Sequence, residues 1–303
     1  MPYTPKEMLA GIVLPAVLLG VAILLAWRPW NHRAANDARW IFAPMVGAGF
    51  CIAYSNFELK LGWPPNANVL FLLFYFAIPL ALCGLLDALF QPPLWLRAVL
   101  LLLIWRMFVR LLLLPQIPRG ISETGAELWI DAIGLVALIW WLTFEHLADR
   151  SPGAATPLVL AAMSVASAVV LAMGWHIQAS GVMAGSLVAM SVAAMVLAMW
   201  NSRISFSRGF AQTTGLLLLL LLVHGYFYTD DTLTDHQQVW AALLLVSPLL
   251  AFTGDLPIFR SRHRAVRLAA RVIPVLILLA IICGETIHDY LQADQAHAAM
   301  HDE

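Results

Sequence analysis

Residues 93–147 read PLWLRAVLLLLIWRMFVRLLLLPQIPRGISETGAELWIDAIGLVALIWWLTFEHL. Two apolar runs, 93–114 and 124–147, are each long enough to cross the hydrocarbon core of a bilayer, which takes roughly 20 residues. Between them PQIPRG (115–120) supplies two prolines and a glycine, the punctuation of a turn. The stretch predicts an antiparallel pair of membrane helices, and its charges sharpen that reading. Arg106 and Arg110 lie four apart on the first run, and Glu123, Glu127 and Asp131 follow at steps of four on the second, so each set shares one helix face. In an antiparallel pair, residues at equal depth have numbers with a constant sum. Arg106 with Asp131 and Arg110 with Glu127 share that sum, which predicts a ladder of two ion pairs. The same logic pairs Asp87 with Arg97 across the tight turn QPP (91–93).

The rest of the chain repeats the pattern. Of 303 residues, 61% are hydrophobic and only 12% charged, about half the charge of a soluble domain. Ten runs predict membrane helices: 8–27, 40–57, 68–90, 93–114, 124–147, 156–174, 180–200, 209–228, 237–254 and 268–288. No linker between them is long enough to separate a soluble unit, so residues 1–303 are expected to form one all-α transmembrane domain, with 289–303 as an acidic polar tail. The first run is longer than a signal-peptide core and no small-x-small cleavage site follows it, so it reads as a true helix.

Orientation follows from arginine placement. The net charge of −1 says little, but the loops 28–39 and 255–267 are the most basic and belong on the cytoplasmic face. An even number of crossings must separate them, which requires the doubtful run 40–57, interrupted by Pro44, Gly47 and Gly49, to span. Both termini then lie outside, and Arg119 is the one basic residue on the wrong side. Tryptophans near most run ends fit interfacial belts. The expected location is a bacterial cell inner membrane.

Ionisable residues within a bilayer are costly and mark functional candidates. Arg106, Asp131, Arg110, Glu127, Asp87 and Arg97 are therefore read as charge pairs that either lock helices 3 to 5 together or line a polar lane. A second cluster is expected on the outer face: His224, Asp230, Asp231, Asp235, His236, Glu285 and His288. Imidazole with carboxylate suits a divalent metal, and Glu285 with His288 has the E-x-x-H spacing of bundle di-iron sites, but one such motif is half a site. Solvated loop residues account for the cluster without a metal. The seventh run carries small residues at every fourth position, Gly181, Gly185, Ala189 and Ala193, answered on the sixth by Ser164, Ala168 and Ala172. Such faces pack helices closely, either within one chain or against a membrane-protein partner or second copy. Cys51, Cys83 and Cys283 read as small buried hydrophobes.

No nucleophile elbow, zinc-protease, CxxC or nucleotide-binding motif is present, and an Asp-Asp pair in an acidic outer loop is too common to assign a transferase. No enzyme activity, cofactor or nucleic-acid partner is expected; the bilayer is the main partner. The favoured expectation is a small-solute or ion permease using the charged lane of helices 3 to 5. The alternative is a non-catalytic subunit or assembly scaffold of a membrane complex.

Overall fold

The computed structural model describes residues 6, 9–27, 39–57, 70–117, 122–151, 153–200, 204, 206, 208–229, 235–260 and 263–301. Among these all regular structure is helical. The helices are α1 (Leu9–Trp27), α2 (Phe42–Phe57), α3 (Leu70–Phe90), α4 (Leu94–Leu113), α5 (Glu123–Arg150), α6 (Ala155–Gly174), α7 (Gln178–Trp200), α8 (Phe210–Tyr228), α9 (Asp235–Asp255) and α10 (Arg264–His301), with a single turn Pro257–Arg260 before the last. Eight of them are long and apolar enough to cross a membrane, which makes the chain a multi-pass membrane protein. The other two are α2, whose 16 residues rise about 24 Å, and α4, which carries Arg97, Arg106 and Arg110.

One helix organises the rest. In α8 every residue from Phe210 to Gly225 is buried. Its run of seven leucines, 216–222, is apolar on all faces and suits lipid or a bundle interior alike. The polar residues Gln212, Thr213, Thr214 and His224 of this helix are also buried, which places it inside the bundle. It touches α2, α3, α5, α6 and α7. Close approach depends on missing side chains: a Cβ on Gly215 would overlap the Phe144 ring of α5. The most extensive helix pair is α6 with α7, where a Cβ on Gly181 would lie 2.7 Å from that of Ala172. Gly185 faces Ile12 of α1 instead, while Ala189 and Ala193 are half-buried. Gly181 and Gly185 are thus used inside this chain.

Prolines account for three of the helix irregularities. Pro15 has no N–H for the carbonyl of Gly11, and α1 opens as a wider π turn over Leu9–Val13. The expected ninth run, 237–254, is not one α-helix: Asp235–Val246 is α-helical and Ser247–Asp255 winds as a 3-10 helix. Pro248 cannot donate to Leu244, whose carbonyl accepts from Ser247 Oγ at 2.8 Å, and the neighbouring Leu245 carbonyl accepts from Trp140 Nε1 of α5 at 2.8 Å. Pro274 leaves the Ala270 carbonyl of α10 without its helical donor, and Thr253 Oγ1 donates to it. Gly254 packs against Arg271 and Arg267 in the same contact.

The acidic stretch at the end of the chain is helical as far as residue 301, with residues 289–301 continuing α10. Nothing in DYLQADQAHAAMH breaks a helix, and Leu, Gln, Ala and Met favour one. Helix α5 also begins where its sequence signals: Ser122 Oγ accepts from the Gly125 N–H at 3.0 Å as an N-cap.

Candidate functional site

Helices α3, α4, α5 and α8 bring their ends together at the arginine-rich end of the bundle. There Asp87, in the last turn of α3, lies 2.9 Å from Arg97 Nη1 in the first turn of α4. The turn QPP makes this possible by reversing the chain in three residues, with Gln91 in the left-handed region at φ 48°. Arg97 has further partners that the sequence did not reveal. Its Nη1 donates to Glu145 Oε1 of α5 at 2.8 Å, its Nε donates to the Pro92 carbonyl at 2.6 Å, and its guanidinium stands 5.7 Å above the Trp141 ring. One cation therefore faces two carboxylates. Arg208 and Asp149 stand close enough to act on the Asp87 charge, and with them included the cluster still holds one negative charge more than positive.

A cavity of about 40 Å³ opens beside this cluster, lined by Asp87, Arg97, Cys83, Trp141, Gln212 and Thr213 among others. At about 10–15 Å³ per water it has room for about three. Gln212 leaves both its amide oxygen and nitrogen, and Thr213 its hydroxyl, without a hydrogen-bond partner among the described residues. Both carboxylate oxygens of Asp87 are likewise without a bond of hydrogen-bond geometry, so its link to Arg97 is one of charge. Buried polar atoms of this kind are rare in native proteins and call for water or a ligand. Gly84 allows the approach, since a Cβ there would overlap Thr213 and Ala43.

A second network lies at the same end, between α5, α9 and α10. Asp255 Oδ1 accepts from Arg150 Nη1 at 3.0 Å and from Arg271 Nη2 at 2.7 Å, and Oδ2 lies 2.6 Å from His146 Nε2. Arg271 Nη1 donates to the Arg150 carbonyl at 2.7 Å. In the sequence these arginines looked like loop charges fixing orientation. Only the fold shows that residues 146, 150, 255 and 271 meet.

The ladder between α4 and α5 differs from its expectation. Arg106 Nη1 donates to Asp131 Oδ1 at 2.9 Å, and its Nη2 donates to Glu127 Oε2 at 2.7 Å. Glu127 thus belongs to Arg106, and the expected Arg110–Glu127 pair is not formed. Glu127 and Asp131 are one helical turn apart on the same face, so a planar guanidinium spans both at once. This triad is also on the outside of the bundle: the side chains of Arg106, Glu127 and Asp131 are 52%, 51% and 71% exposed. Arg106 lies seven residues before the end of α4, about 10 Å along its axis. A lane running continuously from Asp87 to Arg110 is not what the helices build.

At the opposite end, His224 is buried in α8, 3.3 Å from Ser180 Oγ through Nδ1 and stacked on Tyr228 at 5.3 Å between ring centroids. His236 is exposed on α9, and Glu285 and His288 are exposed on α10, where His288 pairs with Gln292 at 2.8 Å. These residues are not gathered around a common point, and among the described residues no three His, Cys, Asp or Glu side chains form a metal-sized group. Asp230, Asp231 and the side chain of Asp235 lie outside the described residues. No protein-family model and no curated protein matches this sequence.

Proposed function

We propose that the protein is a permease for protons or a small cation, with its ion site in the cavity lined by Asp87, Arg97, Gln212 and Thr213, and with Glu145 beside it as the second partner of Arg97. The observation that carries the reading is the convergence of unpartnered buried polar groups on one cavity beside a net negative cluster. A negative surplus in a low-dielectric surrounding favours a cation or proton over an anion, and backbone-free oxygens from Gln212 and Thr213 can replace part of a hydration shell. Intramembrane carboxylates with such partners suit ion pathways. The topology that goes with this reading has ten crossings, α2 and α4 included, with the arginine-rich end cytoplasmic and both termini outside.

The test uses the purified protein in phosphatidylcholine vesicles, with an entrapped pH dye for proton flux and radioactive sodium for cation flux. Wild-type protein is expected to raise one of the two rates above that of empty vesicles. Asp87→Asn is expected to lower it at least tenfold while the fold survives, because Arg97 keeps Glu145. Rates equal to those of empty vesicles for both ions would sink the reading.

One observation favours a second reading, that of a subunit in a larger membrane assembly. Charged residues at membrane depth normally face the bundle interior, yet Arg106, Glu127 and Asp131 face outward. A partner helix over α4 and α5 would cover them, a different face from that of α6 and α7. In that case Arg106→Ala with Asp131→Ala changes the mass of the particle purified in mild detergent; an unchanged mass removes the reading.

A further inference from the structure

We propose that a cavity between α5 and the start of α10, walled by four arginines, binds a phosphate group carried by an anionic lipid headgroup or by a free phosphorylated solute. The cavity measures about 170 Å³ and is lined by Arg150, Arg264, Arg267, Arg271 and Leu268. Arg264, Arg267 and Arg271 stand three and four residues apart, which places them on one face of α10. Arg150, the last residue of α5, closes the ring from the other side.

The charge around this cavity is unbalanced. Among the described residues Asp255 is the carboxylate in contact with the group, and it is already shared by Arg150, Arg271 and His146. Four guanidinium groups against one carboxylate leave three positive charges. Among the described residues neither Arg264 nor Arg267 has a carboxylate within ion-pairing reach. Arg271 is nine-tenths buried, and its Nε has no acceptor. Like charges converge on one concave space at a cost that an anion removes. Arginine bias at the cytoplasmic end explains why these residues lie at this end. It does not explain why four of them face one hollow.

The chemistry suits a phosphate group in two ways. Planar guanidinium groups bond two oxygens of a tetrahedral oxyanion at once. Leu268 gives the cavity an apolar wall of the kind that meets the glycerol and upper acyl region of a lipid, and basic hollows between membrane helices at this level bind anionic headgroups. The site is separate from the Asp87 cavity, and its charge is of opposite sign.

Three probes test the proposal on the whole protein in detergent: dioleoyl phosphatidylglycerol, dioleoyl phosphatidylcholine and inorganic phosphate. Binding is read by native mass spectrometry and by the midpoint of thermal unfolding. The wild type is expected to hold one phosphatidylglycerol in preference to phosphatidylcholine. Arg264→Gln with Arg267→Gln is expected to weaken that binding about thirtyfold, the combined worth of two basic residues at a headgroup. The Asp255 network is untouched in this variant, and Arg264→Lys with Arg267→Lys, which keeps charge but loses the fork, should fall between. If inorganic phosphate alone raises the midpoint of the wild type and not of the Gln variant, the ligand is a free phosphate group; if only phosphatidylglycerol does so, it is a lipid. Equal binding of the zwitterionic lipid, binding unchanged in both variants, or no response to either phosphate source overturns the proposal.

Discussion

Arg97→Met is expected to destabilise the protein by about 3–5 kcal/mol, the cost of leaving buried charge without its partner. Arg97 is the shared cation of Asp87 and Glu145, and all three side chains are largely shielded. Methionine keeps the stem that packs on Trp141 but leaves two largely buried carboxylates without their shared cation, with their repulsion only weakly screened. Thermal unfolding in detergent measures the loss. The companion experiment removes all three charges together, Arg97→Met with Asp87→Leu and Glu145→Met. That variant should recover most of the stability, because burying neutral side chains of similar volume carries no such penalty. If the triple variant is no more stable than the single one, unpaired buried charge is not the cause of the loss.

Asp255→Ala is expected to cost about 2–3 kcal/mol, less than a fully buried pair because the carboxylate is one-fifth exposed. It removes the only acidic partner that the described contacts give Arg150 and Arg271, and the mostly buried Arg271 is left facing three other arginines. The damage should be local as well as global. Ser247–Asp255 is tied to α10 through Asp255, Thr253 and the close approach of Gly254. Hydrogen exchange should therefore accelerate across 247–260 and the first turns of α10 before it does in α8. Exchange that rises evenly over the whole chain would contradict this assignment.

How far the sequence led can be judged residue by residue. Hydropathy located the helices because a bilayer demands runs of a given length, and the constant-sum argument brought Arg106 to Asp131 and Asp87 to Arg97. It could set depth but not direction around the helix axis. For that reason it missed that Arg106 reaches Glu127 as well, and that the triad points out of the bundle while Asp87 points in. Glu145, Asp255 and Arg271 were invisible as partners, since their contacts join segments up to 121 residues apart. Gln212 and Thr213 carried a usable signal: polar residues opening a helix apolar on every side are polar residues bound for the interior. The 3-10 segment after Val246 was also legible in principle, through Pro248 and the carbonyls it leaves free.

The central position of α8 has a consequence for how the chain is made. The helices it packs against most extensively, α2, α3, α5, α6 and α7, all precede it in the sequence. During synthesis they reach the bilayer before the helix that fills the space between them. Until residues 210–228 emerge, the partly made protein is a shell with its interior faces in contact with lipid or with one another. Closure of the bundle is therefore a late event, and a ribosome stalled before residue 210 would leave an open half-structure for the membrane's quality-control proteases.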